Sequence, residues 1–87
     1  MISIEQIRAA RGLLGWSQTE LAKAAGRSLP TIKRLEREGD VGPMVSDEVR
    51  EAVQAALEKA GVEFIPENGG GAGVRMKKRS KQSRGGA

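Results

Sequence analysis

Three cations, Lys33, Arg34 and Arg37, follow the run Ser28-Leu29-Pro30-Thr31 in this chain of 87 residues, and they are the side chains best suited to chemistry. A guanidinium is a planar fork of donors that keeps its charge at any ordinary pH. It can meet phosphate oxygens, or the two acceptors of a guanine edge, with parallel hydrogen bonds. Arg34 suits a guanine edge and Leu29 suits a thymine methyl. Arg27, Thr31, Lys33 and Arg37 suit phosphates, which position a protein without specifying sequence. The competing reading of the same cations is a solvated helix face.

Composition narrows the alternatives. The chain has no cysteine and no histidine. That removes a disulfide framework, thiolate metal sites and the commonest general base. Catalysis would have to rest on carboxylates, and these read as caps and helix surface, so no enzyme is expected, and neither a metal nor a cofactor. No signal peptide and no apolar run of membrane-spanning length is visible, which points to a cytoplasmic protein, nucleoid-associated when bound to DNA, with no membrane partner. The net charge is +4 and unevenly placed. Residues 1–61 balance nine Lys or Arg against nine Asp or Glu, whereas residues 62–87 hold six against two. A basic segment after a neutral body suggests a polyanion partner, against the alternative of a merely solubilising tail.

The elements that would position the cations are short helices with clear punctuation. A first helix is expected over residues 3–14, capped by Ser3 with Gln6 at the capping-box spacing, and ended by Gly15. Ile4, Ile7, Arg11 and Leu14 share one of its faces. Trp16 reads as a core anchor. Ser17 and Glu20 form a second capping box, followed by a stripe of Leu21, Ala24 and Ala25, and Gly26 can supply the left-handed turn. The third helix, residues 28–38, has Ser28 as cap and Pro30 in its first turn, with Ile32 and Leu35 inward and Gly39 as stop. After a loop at Asp40-Val41-Gly42-Pro43, Ser46 or Asp47 caps a fourth helix to about residue 60, with Val49, Ala52, Val53, Ala56, Leu57 and Ala60 as its apolar stripe. Strand-like alternation follows from Val62, with a return strand at Val74-Arg75-Met76. The glycine-rich run at 69–73 lacks the Gly-Lys-Ser/Thr and helix of a phosphate loop and reads as a turn. The expected fold class is mainly α: four helices over 1–61, a short hairpin over 62–76 and a disordered basic tail over 77–87.

Arg11 and Glu36 fall on otherwise apolar faces. They suggest a buried or half-buried ion pair, with separate solvation as the alternative. With these residues in view, residues 4–60 resemble the Cro/CI-type helix-turn-helix repressors of the XRE family. The resemblance rests on Arg11, Trp16-Ser17-Gln18, Glu20-Leu21-Ala22, Gly26, Ile32 and Leu35-Glu36. It implies a third helix presented to the DNA major groove, with Gln18 at the backbone-contacting position, Leu29, Pro30 and Arg34 at base-facing positions, and Arg11–Glu36 as the family's interhelical ion pair. Ser28, at the start of that helix, joins the DNA-binding set. Leu29 and Pro30 stand where polar residues are often found, leaving fewer hydrogen-bonding readers.

The leading expectation is a sequence-specific regulator of transcription, a repressor or autoregulator, reading a palindromic operator in double-stranded DNA as a homodimer. The alternatives are the antitoxin of a toxin–antitoxin pair, or a module that binds a protein partner and no longer reads DNA. A small single domain needs a self-complementary surface to dimerise, and the segment 62–76 is the expected one.

Overall fold

Four serines set the starts of four helices. In the computed structural model, which describes residues 2–37, 46–67 and 69–77, these are α1 (Ile4–Leu14), α2 (Gln18–Ala25), α3 (Leu29–Glu36) and α4 (Asp47–Lys59). Ser3, Ser17, Ser28 and Ser46 each take an extended backbone, and each Oγ accepts the N–H three residues on, from Gln6, Glu20, Thr31 and Val49. That satisfies one of the amide donors every helix start leaves open. Ser46 rather than Asp47 is therefore the cap of α4. Both expected capping boxes are present, closed by Gln6 and Glu20.

The first two helices end by the same device. Gly15 and Gly26 sit in the left-handed region, at φ 69° and 67°. The next residue in each case reaches back five positions, Trp16 N–H to Arg11 O and Arg27 N–H to Ala22 O. This closes the last turn and turns the chain sharply. α3 ends at Glu36, with Arg37 already out of helical geometry. The expected continuation to 38, the stop at Gly39 and the loop at 40–43 lie outside the described residues, as does the basic segment from Lys78 onward.

Ile7 and Ala10 of α1, Leu21 and Ala22 of α2, Ile32 and Leu35 of α3, and Val53 and Leu57 of α4 are buried together, with Ile2 and Val62. Trp16 is half-buried against this core. One expected stripe needs correction: α2 buries Leu21 and Ala22, half-buries Ala25, and leaves Ala24 exposed. At 100° per residue, Ala24 lies about 110° from the centre of the face defined by 21, 22 and 25, so it points away from α3 and α4.

Strands β1 (Val62–Ile65) and β2 (Gly73–Met76) form an antiparallel hairpin after α4. Val62 pairs with Met76, Glu63 with Arg75, Phe64 with Val74 and Ile65 with Gly73. Lys77 N–H donates to Gly61 O at 2.6 Å, so Gly61/Lys77 is a hydrogen-bonded pair. Alternation then makes Glu63/Arg75 and Ile65/Gly73 hydrogen-bonded pairs as well, and it turns the main-chain groups of Val62, Phe64, Val74 and Met76 outward. The hairpin shares the core of the helices: Val62 is 1% exposed, and Phe64 and Val74 pack against the buried cluster. Among the described residues, no helix is long and apolar enough to cross a membrane.

Candidate nucleic-acid interface

The two faces of α3 have opposite characters. Ile32, Leu35 and Glu36 are buried. Pro30, Lys33, Arg34 and Arg37 are exposed, and their spacing of three, four and seven residues puts them on one side of the helix. Leu29 and Thr31 are half-buried at the margin. The Ser28 hydroxyl accepts the Thr31 N–H at 3.3 Å and lies 2.8 Å from Thr31 Oγ1, so both side chains serve the start of the helix. The exposed stripe is three cations and one rigid apolar ring.

Behind this stripe, one carboxylate ties three helices together. Glu36, 3% exposed, receives Arg11 in a two-pronged bond, Nε to Oε2 at 2.8 Å and Nη2 to Oε1 at 2.9 Å. The remaining Arg11 Nη1 donates to Trp16 O at 3.0 Å, at the turn into α2. The hydrogen bond to Glu36 raises the Arg11 pKa above its already high ordinary value, so the cation persists at any pH the protein would meet. Gln18, the first residue of α2, donates from Nε2 to Glu36 Oε1 at 3.1 Å. The expected ion pair is thus present and half-buried, and Gln18 is held against it. Arg8, which sequence reasoning passed over, donates to the main-chain carbonyl of Glu36 and brings its Nε to 4.0 Å from Oε1. A cation at the end of α3 also favours the helix dipole. Its side of the helix was readable, since Arg8 lies three residues before Arg11, but its main-chain partner was not.

Arg27 precedes the cap of α3 and is half-buried, and its Nε–H is buried without an acceptor among the described residues. The structure therefore places Arg27, Ser28, Leu29, Pro30, Thr31, Lys33, Arg34 and Arg37 along or beside α3, and connects Gln18 to that helix through Glu36. Gln6, read from the sequence only as a capping-box residue, also makes a contact with the hairpin. Its two donors go to Ile65 O and Gly73 O.

Comparison with known proteins places part of the chain in a family. Residues 7–46 fit the family described as helix-turn-helix, a span that runs from Ile7 in α1 through α3 to the cap of α4. No curated protein matches the chain.

Proposed function

Residues 7–46 belong to the Cro/CI-type (XRE) helix-turn-helix family of DNA-binding transcription regulators, and on that premise we propose that the chain binds a specific double-stranded operator and represses transcription there. The observation that carries this reading is the exposed stripe of Pro30, Lys33, Arg34 and Arg37 opposite a wholly buried face. A major groove about 12 Å wide admits one helix, and this is the helix whose outer side is cationic. Arg34 would bond both acceptors of a guanine, and Leu29 with Pro30 would meet thymine methyls. Arg27, Lys33, Arg37 and the Ser28–Thr31 end of α3 would rest on phosphates. Gln18, oriented by Glu36, would hold the adjacent backbone. Occupancy of the operator would itself block transcription, including that of the chain's own gene.

Two copies would pair through the outer edge of β2. There, Val74 and Met76 turn main-chain groups outward, and Met76 is 44% exposed, one of two large apolar residues so open among the described residues. β1 is the more covered strand, because it also packs on α4. A two-fold axis at Val74 sets Arg75 across from Gly73 of the second copy. Pairing Val74 with Met76 instead would set two Arg75 side chains directly opposite, which is destabilising.

Titration of a random-sequence duplex at rising salt tests the DNA reading. The logarithm of the affinity should fall against the logarithm of salt with a slope of about −3 per protomer, for Arg27, Lys33 and Arg37. Binding to no duplex at any salt would leave a protein-interaction module instead.

A further inference from the structure

The two capping boxes of this chain close with different residues, and the difference has a cause. In α2 the side chain that reaches back is Glu20, exposed, accepting the Ser17 N–H at 2.7 Å. In α1 it is Gln6, 7% exposed. Its Oε1 accepts the Ser3 N–H at 2.9 Å, which leaves two amide hydrogens in a buried place. Both are used: Nε2 donates to Gly73 O at 2.9 Å and to Ile65 O at 3.3 Å. Those two residues face each other in the last pair before the loop. A glutamate there would keep the cap but turn acceptor oxygens toward two carbonyls.

The bonds from Gln6 are additional to the ladder, since Ile65 and Gly73 already form a hydrogen-bonded pair. They locate the hairpin more than they complete it. At its other end the hairpin is held by Val62, fully buried in the helical core. One amide on α1, the helix that also carries Arg8 and Arg11 to Glu36 of α3, therefore fixes the loop end of the hairpin relative to the DNA-facing helix.

We infer that Gln6 is a positioning residue for operator spacing: by clamping the hairpin to α1 it sets the distance and angle between the two α3 helices of a dimer. The inference rests on the hairpin-paired dimer proposed above. A dimer whose pairing strands move relative to its reading helices can accept half-sites at several separations. One clamped at both ends of the hairpin accepts one.

The test uses duplexes selected by the parent protein from a random pool, remade as a single half-site and as full sites with the spacer one base pair shorter, unchanged or one longer. The full chain is compared with Gln6→Glu and with Gln6→Leu, which removes the donors without adding charge. The expected result is unchanged half-site affinity, within about twofold, with the parent's preference for its own spacer, on the order of tenfold, reduced to about twofold in both variants. A Gln6→Leu protein that is folded, dimeric and as selective for spacer as the parent overturns the inference and leaves the dimer standing. Loss of half-site affinity in step with full-site affinity also overturns it, because Gln6 would then only support the fold. A parent that sediments as a monomer on its own operator removes the dimer and the inference together.

Discussion

Glu36 is the residue on which the most depends. Its carboxylate is nearly inaccessible and is met by Arg11 from α1 and Gln18 from α2, while Arg8 holds its main-chain carbonyl. Such an assembly adds little net stability over apolar packing, but removing one member strands the others. Glu36→Ala should lower the unfolding free energy by about 3 kcal/mol in a denaturant titration. The double change Arg11→Met with Glu36→Met should cost clearly less than Glu36→Ala alone. A single variant as stable as the parent would mean that solvent screens the pair. Arg34 makes the contrasting case, because its exposed side chain has no hydrogen bond or ion pair among the described residues and DNA would use it for readout. Arg34→Ala should leave the thermal midpoint in place, cost about 1–3 kcal/mol in operator binding and relax preference at one position per half-site. Equal weakening on every duplex would make Arg34 a phosphate contact.

At the scale of elements, the turn between α2 and α3 is what presents the cationic stripe, and Gly26 makes the turn. A Cβ built on Gly26 meets nothing within 4 Å, yet its φ is +67°. Gly26→Ala should therefore cost about 1 kcal/mol through backbone conformation alone. Asparagine, which tolerates this region, should cost less, and thermal unfolding of the two variants separates strain from crowding. An alanine variant as stable as the parent would show that the turn has another conformation open to it. These elements were legible because their signals are local: a serine three residues before the amide it caps, a glycine one turn after the last apolar residue, Pro30 in a first turn. Ile32 and Leu35 followed from period alone. The stripe of α2 was misread at Ala24 because alanine carries too weak a signal to fix the phase of an eight-residue helix, and α4 decides which side is inside. Arg8 and Gln6 were not legible as contacts. Their partners are main-chain carbonyls 28 to 67 residues away, and a carbonyl has no letter in a sequence. The choice of Gln over Glu at position 6 was the one visible trace.

For the whole molecule, the question is how a body with one cationic helix face among its described residues would recognise a site long enough to be specific. The pairing through β2 proposed above would supply a second face without adding a domain. Met76→Glu puts a charge on the open edge and leaves the core untouched, since Met76 is exposed. It should shift sedimentation from dimer toward monomer and weaken full-site binding far more than half-site binding. An unchanged dimer would place the interface elsewhere. The cross-strand pair Arg75–Glu63, which lowers the Glu63 pKa through the Arg75 hydrogen bonds, is partly exposed to solvent, so its contribution is present at neutral pH and fades only as pH falls through the lowered Glu63 value. The dimer should accordingly be insensitive to pH above the ordinary carboxylate range, about 4. The measurement that bears most directly on the central claim is selection of bound duplexes from a random pool by the intact chain. The expected product is a palindromic consensus whose half-sites lie about 34 Å apart, or a multiple of that, with a guanine that loses its enrichment when Arg34→Ala is used for the selection. A pool that returns with no enriched sequence would contradict the claim that α3 reads DNA.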